Sequence, residues 1–145
     1  MTEIDVHYNA ADKLHHACRL LRKAAVAAGA RVVVVGDAAQ LDALDAALWG
    51  IAPAEFVPHC RHDVPGWMLA RTPVVMWPAR HDASPPHREI IVNLGVELPD
   101  GFERFERLID LVGEDEDERR AGRLRWRHYA DRGYAITRHD VGARR

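Results

Sequence analysis

Residues 31–49 read RVVVVGDAAQLDALDAALW, and this stretch indicates an α/β fold more clearly than any other part of the chain. The run Val32–Val35 is apolar at every position, which is typical of a parallel strand that is covered on both faces. Asp37 follows a turn, and three leucines then recur at helical spacing: Leu41, Leu44 and Leu48. A buried strand that leads directly into an amphipathic helix is the repeating unit of α/β domains.

The rest of the sequence extends this pattern in both directions. Apolar runs predict strands at Ile4–Tyr8, Val74–Trp77, Glu89–Leu94 and Leu108–Val112, with an edge strand at Tyr134–Ile136. A helix is expected over residues 14–28, with Asn9 as its cap and Gly29 at its end. Phe56–His59 reads as a short extended piece and residues 60–71 as a surface loop. We therefore expect a single Rossmann-like three-layer domain with a mostly parallel sheet over residues 1–138, followed by a flexible tail over 139–145.

Composition excludes several classes of protein. The chain has 145 residues and a net charge of -2, which does not suggest a protein that coats nucleic acid. Cys18 and Cys60 are the only cysteines, so there is no disulfide framework. The first residues, MTEIDVHYN, do not resemble a secretory signal, and no apolar run approaches the ~20 residues of a membrane span. We expect a cytoplasmic protein with no membrane partner.

The motifs that would indicate chemistry are missing. The first strand is followed by NAADKL and the second by GDAAQL, so neither carries the glycines of a phosphate-binding loop. Ser84, the only serine, has no nucleophile-elbow context. The pattern His59-Cys60-x-His62 is only half of a zinc motif. We predict no catalytic residues, no cofactor and no metal.

The stretch Glu114–Gly133 is the most unusual part of the chain, because five acidic residues are followed by a run dense in arginine. On a helical wheel with Arg119 at zero, Arg123 lies at about +40°, Trp126 at about -20° and Arg127 at about +80°. We expect this face to be exposed, with Ala121, Leu124 and His128 turned towards the sheet. A cationic face with an exposed indole suits an acidic, partly apolar peptide. It also suits single-stranded nucleic acid, which binds basic and aromatic surfaces.

Several segments resemble one protein family. Leu44-Asp45-x-Ala47-Leu48-Trp49, followed by PAEFVPH at residues 53–59, is similar to the most characteristic stretch of the chi subunit of bacterial DNA polymerase III. VVMWP at residues 74–78, REIIVNL at 88–94 and the arginine-rich helix occur in the same order as in that family. The resemblance runs from the first strand to about Arg138. The chain departs from the family at Gly113, where relatives have proline, and at Trp126, where they often have tyrosine.

The resemblance implies a function without catalysis. Chi subunits are Rossmann-like accessory proteins that pair with the psi subunit, which tethers them to the clamp loader. They also bind the acidic, Phe-terminated C-terminal tail of single-stranded DNA-binding protein, so contact with DNA is expected to be indirect.

The resemblance also implies two sets of site residues. In the tail-binding site, Arg123 would be the main carboxylate partner, and the flanking residues would be Arg119, Trp126, Arg127 and Trp49. The interface with psi would centre on Phe56 and Val112. The alternative that the sequence leaves open is a module that binds single-stranded nucleic acid directly through the arginine-rich helix.

Overall fold

A computed structural model describes residues 1–50, 54, 56–80 and 84–142 of the chain. In the described residues the strands form one seven-stranded sheet in the order β3-β4-β2-β5-β6-β1-β7, and every pairing is parallel. This confirms the predicted α/β fold. The strands are β1 (Glu3–Ala10), β2 (Val32–Gly36), β3 (His59–Arg61), β4 (Val74–Pro78), β5 (Ile90–Asn93), β6 (Arg107–Gly113) and β7 (Ile136–Asp140).

Helices cover both faces of the sheet and create two apolar clusters. The described helices are α1 (Lys13–Leu21), which continues as a π-helix (Arg22–Ala27), α2 (Ala38–Trp49), α3 (Gly66–Arg71), a 3₁₀ turn (Phe102–Arg104) and α4 (Glu116–Asp131). The first cluster joins α1 and α2 to one face of the sheet, through residues such as Leu21 and Leu44. The second cluster joins α4 and the 3₁₀ turn to the other face, through Tyr129 and Phe102. The α2 and α4 helices therefore lie in opposite layers.

Strand β2 lies at the centre of this arrangement. All five of its residues are buried. Val32 and Val34 belong to the first apolar cluster, whereas Val33 and Val35 belong to the second. This two-sided burial explains why the run is apolar at every position, and it confirms the strand predicted there.

Three predictions about local structure are wrong. Asn9 does not cap α1; the side chain of Asp12 does so, by accepting a hydrogen bond from the backbone N–H of His15 at 3.0 Å. The short strand lies at His59–Arg61 rather than at Phe56–His59, and the predicted loop contains α3. The sequence Pro65-Gly66 suggested a loop, but proline is well tolerated where a helix begins.

Some predictions fall on residues that the structure does not describe. Residues 51–53 and 81–83 belong to predicted loops, and residues 143–145 belong to the predicted tail. The predicted boundary between residues 138 and 139 falls inside β7, which continues to Asp140. In the described ranges, no helix has the length and apolarity that crossing a membrane requires.

Candidate functional site

The arginine-rich segment forms α4, as predicted, and its acidic start explains where the helix begins. The Asp115 side chain accepts a hydrogen bond from the backbone N–H of Glu118 at 2.8 Å and caps the helix. Three acidic residues occupy the first turn, where the helix dipole favours negative charge. Glu118 turns inward and accepts hydrogen bonds from the Gly113 N–H at 3.0 Å and from Lys13 at 2.8 Å. The acidic run thus anchors α4 to the end of β6.

The buried face of α4 differs from the predicted one. It consists of Gly122, Arg125 and Tyr129. Leu124, which we expected to face the sheet, is 61% exposed. The prediction was wrong because it assumed that an apolar residue faces the core and an arginine faces water.

Arg125 is buried because an aspartate from the sheet meets it. Arg125 is 3% exposed and Asp110 of β6 is 1% exposed. The Arg125 Nε donates to both carboxylate oxygens of Asp110, at 3.1 and 2.9 Å, and its Nη1 donates to the Val96 carbonyl at 2.8 Å. Asp110 also accepts from the Tyr129 hydroxyl at 3.1 Å and from the Asn93 amide at 3.0 Å. This network fixes the rotation of α4 about its axis.

The Asp110 carboxylate raises the pKa of both Arg125 and Tyr129. Burial lowers the pKa of Arg125, but the Asp110 carboxylate outweighs burial, and the net pKa is raised. Burial, followed by the Asp110 charge, also raises the pKa of the Tyr129 hydroxyl. Both groups therefore keep their protons, and every hydrogen bond to Asp110 has a donor.

A glycine lets α4 lie unusually close to β6. A Cβ atom at Gly122 would lie 2.9 Å from a methyl carbon of Val112, which is closer than real Cβ atoms approach. Any larger residue at position 122 would push the helix outward. The close approach leaves Val112 at the floor of a groove rather than under a helix side chain.

This groove, which we call the arginine groove, runs between α4 and the strands β1 and β7. It has a volume of about 340 Å³ and is lined by Val6, Tyr8, Asn9, Val112, Arg119, Gly122, Arg123, Trp126 and Arg138. Three guanidinium groups thus surround a floor that includes the valine side chains. The structure brings together Arg119, Arg123 and Trp126, three of the residues implied by the family resemblance.

The groove has two further polar features. Arg123 Nη2 lies 3.2 Å from Glu116 Oε1, so the guanidinium is paired with a carboxylate of its own helix. The guanidinium carbon of Arg138 lies 4.9 Å from the centre of the Tyr8 ring, in a cation–π contact. Sequence reasoning missed Arg138 and Tyr8. The parallel pairing of β7 with β1 brings these two residues together. No local sequence pattern reveals that pairing.

Other predicted site residues lie elsewhere. Arg127 is exposed on α4 but does not line the groove. Trp49 ends α2 in the opposite layer and is 64% exposed. Its ring centre lies 5.2 Å from that of Phe56 and 5.1 Å from that of His59. The structure therefore places Trp49 with Phe56, on what we call the aromatic surface (Trp49 and Phe56), which packs against the buried side chain of His59.

Val112, the other residue implied for the psi interface, does not lie near Phe56. Val112 belongs to the apolar cluster under α4 and lines the arginine groove. Phe56 contacts Trp49, whose helix covers the other face of the sheet. The two residues implied for the psi interface thus lie on opposite sides of the molecule.

The crevice where Rossmann-like folds bind nucleotides is bridged by a side chain in this protein. In such sheets the crevice lies at the carboxyl ends of two neighbouring strands whose following connections run in opposite directions. Here these strands are β2, which is followed by β3 on one side, and β5, which is followed by β6 on the other. The Gln40 side chain spans it: Nε2 donates to the Leu94 carbonyl at 2.8 Å, and Oε1 accepts from the Asp37 N–H at 2.9 Å. A Cβ at Gly36 would lie 2.9 Å from Gln40 Oε1, so the fit is tight.

The loop with histidines and a cysteine is used in packing. Cys60 is buried in β3, and burial raises the pKa of its thiol. His59 Nε2 lies 3.2 Å from Asp45 Oδ1, and the His62 ring meets the Trp77 ring edge to face. Among the residues that the structure describes, no three histidine, cysteine, aspartate or glutamate side chains are arranged to hold a metal ion.

Comparison with known proteins decides the family. The family model described as "DNA polymerase III chi subunit, HolC" matches residues 1–137. The chain belongs to the DNA polymerase III chi subunit family. This membership assigns it to the DNA polymerase III assembly and to DNA replication.

Individual chi subunits agree with this result. The DNA polymerase III subunit chi of Pseudomonas aeruginosa is 30% identical over 143 residues, which cover 96% of each chain. The subunit chi of Haemophilus influenzae is 29% identical over 106 residues, which cover 72% of this chain and 70% of that protein. Among solved structures, the C-terminal domain of the DEAD-box protein Dbp5 is similar, with a TM-score of 0.58 and 14% identity, and the match covers 95% of this chain and 89% of that one. That likeness concerns the fold alone.

Proposed function

We propose that this chi-family chain is a noncatalytic adaptor of the clamp-loader complex. It binds the acidic C-terminal tail of single-stranded DNA-binding protein in the arginine groove, and it binds the psi subunit at the aromatic surface. The observation that carries the first half is the combination of three arginines and an exposed indole around an apolar floor.

The groove suits a peptide that ends in a carboxylate and a phenyl ring. Arg119, Arg123 and Arg138 line it from two sides, and arginine forms bidentate pairs with carboxylates. Val6 and Val112 offer apolar surface below them. Trp126 is 41% exposed beside the arginines, where a ligand ring can cover it. A ligand with both an anionic and an apolar part fits this arrangement.

The second half of the proposal rests on the exposed Trp49 ring and on its neighbour Phe56, which is half-buried. Trp49 is more exposed than any other tryptophan in the described chain, yet it packs against Phe56 and His59. Tryptophan is enriched among the residues that anchor protein interfaces. Because Trp49 and Phe56 share this surface, we assign both to psi, and we assign Val112 to the tail groove.

A binding experiment with purified proteins separates the adaptor from a direct nucleic-acid binder. The immobilised chain is expected to retain full-length single-stranded DNA-binding protein, but neither a version without its acidic tail nor single-stranded DNA alone. It should also retain psi, and Phe56→Ala should lose psi while keeping the tail-bearing protein. Equal retention of the tail-less protein, or of DNA alone, would contradict the tail proposal.

A change next to the groove should strengthen tail binding. Glu116 pairs with Arg123 at 3.2 Å, so an incoming carboxylate must displace it. We expect Glu116→Gln to bind an acidic Phe-terminated peptide about three times more tightly, since an exposed ion pair contributes up to ~1 kcal/mol. The measurement is a titration of labelled peptide.

Asp117→Asn provides the matched control for that titration. It removes one negative charge from the same turn, but Asp117 pairs with Arg120, at 3.4 Å, outside the groove. The control should change affinity much less than Glu116→Gln does. Equal gains in the two variants would mean that only the overall charge matters.

A further inference from the structure

Strand β1 contains one irregularity, and it lies at the groove. From Glu3 to His7 the strand pairs in regular register with β6, and the register shifts by one residue before Ala10 pairs with Gly113. Asn9, inside this bulge, has φ of 62°, and among the described residues no other non-glycine residue has a positive φ. Such backbone is sparsely populated except by glycine and asparagine.

The bulge turns the side chain of Asn9 into the groove. In a regular strand, neighbouring residues point to opposite faces of the sheet. Tyr8 and Asn9 are adjacent, yet both line the arginine groove. A bulge that re-aims a side chain in this way is a common device next to binding sites.

The contacts of Asn9 place it where three parts of the groove meet. Its Nδ2 donates to Asp140 Oδ1 at 3.1 Å. Asp140 lies two residues after Arg138, which lines the groove. The Asn9 Oδ1 lies 3.5 Å from Arg119 Nη2 of α4, as the acceptor of a long hydrogen bond. The chain after β7 passes so closely that a Cβ at Gly142 would lie 2.6 Å from the Asn9 carbonyl oxygen. Asn9 therefore contacts both α4 and the segment that follows Arg138.

We propose that Asn9 is a specificity-determining residue of the arginine groove, whose carboxamide orients Arg119 and hydrogen-bonds the main chain of the bound peptide. This inference rests on the proposed tail binding. A carboxamide has two N–H groups and two acceptor lone pairs. The contacts with Asp140 and Arg119 engage one of each, and the remaining N–H and lone pair complement a peptide unit. The phosphodiester backbone of nucleic acid has acceptors but no N–H donor, so Asn9 favours a peptide main chain over that backbone.

The test uses Asn9→Gly, because glycine adopts the left-handed backbone without strain while the carboxamide is removed. A labelled acidic peptide that ends in phenylalanine with a free carboxylate is titrated against the wild type and this variant. We expect binding about five- to tenfold weaker, as for the loss of one or two hydrogen bonds. The thermal unfolding midpoint should stay close to that of the wild type, because glycine keeps the left-handed backbone and the lost hydrogen bonds are exposed.

Asp140→Ala is the matched control, because it removes the structural partner of Asn9 but leaves the carboxamide in place. It should bind the peptide within about twofold of the wild type, since Asp140 does not line the groove and its two hydrogen bonds, from Asn9 and from the Gly142 N–H, are exposed. Wild-type affinity in Asn9→Gly would overturn the inference. So would an equal loss in Asp140→Ala, or a clear fall in the unfolding midpoint of Asn9→Gly. If the wild type itself does not bind the peptide, the proposed function fails, which is a different result from unchanged binding in Asn9→Gly alone.

Discussion

Replacing Arg123 with alanine is expected to weaken severely the binding of the acidic, Phe-terminated peptide. Arg123 lines the groove between Arg119 and Trp126, where it can form a charge-assisted pair with the terminal carboxylate. Charge-assisted hydrogen bonds contribute ~1.5–3 kcal/mol, so affinity should fall about 10- to 100-fold. A fluorescence titration with labelled peptide measures this loss.

The loss should leave the fold intact, which distinguishes it from unfolding. Arg123 is exposed, and its partner Glu116 is exposed as well. The unfolding midpoint of the variant should therefore match that of the wild type. Arg120→Ala is the matched control, because Arg120 is an exposed arginine of the same helix that does not line the groove. If Arg123→Ala binds as well as Arg120→Ala does, the assignment of this groove is wrong.

The binding that these variants probe should also depend on salt. Exposed charges attract one another less as ionic strength rises, because the Debye length shortens to ~8 Å at physiological salt. The bound tail must in addition lose its disorder, which reduces affinity further. Variants are therefore best compared at one fixed salt concentration.

The second large effect concerns stability rather than binding. Asp110→Asn is expected to lower the free energy of unfolding by about 3–5 kcal/mol, because it leaves the buried Arg125 cation without a counter-charge. Asp110 and Arg125 are almost completely inaccessible to solvent. Urea unfolding followed by circular dichroism measures the change.

Glu3→Gln is the control for that measurement. Glu3 pairs with Arg107 at 3.0 Å, and Arg107 lies on the same strand as Asp110, but this pair is exposed. Exposed pairs contribute up to ~1 kcal/mol, so the control should lose much less stability. Similar losses for the two variants would show that the network around Asp110 does not hold α4.

The fold was largely predictable because its central elements have strong periodic patterns. Val32–Val35 and the leucines of α2 indicate a two-sided strand and an amphipathic helix, and both occur where expected. The helix α3 was missed because it has only six residues and follows a proline. Short elements are held by the packing around them, and that packing is not visible in local sequence.

The site was predictable only in part, for a different reason. Of the four α4 residues expected at one site, Arg119, Arg123 and Trp126 line the groove, whereas Arg127 does not. Trp49 and Phe56 could not be assigned to a common surface without the strand order, which determines the layer that each helix joins. Arg125 shows the same limit, since its burial depends on Asp110, a residue from another element.

The arginine groove is assembled from segments at opposite ends of the described chain. Its floor includes Val6 of β1, whereas Arg138 belongs to β7, which pairs with β1 along the sheet edge. Domains fold progressively while they are synthesised. A nascent chain that has not yet released β7 from the ribosome lacks one wall of the groove. Capture of a ligand in this groove therefore requires that synthesis has passed β7 and that β7 has paired with β1.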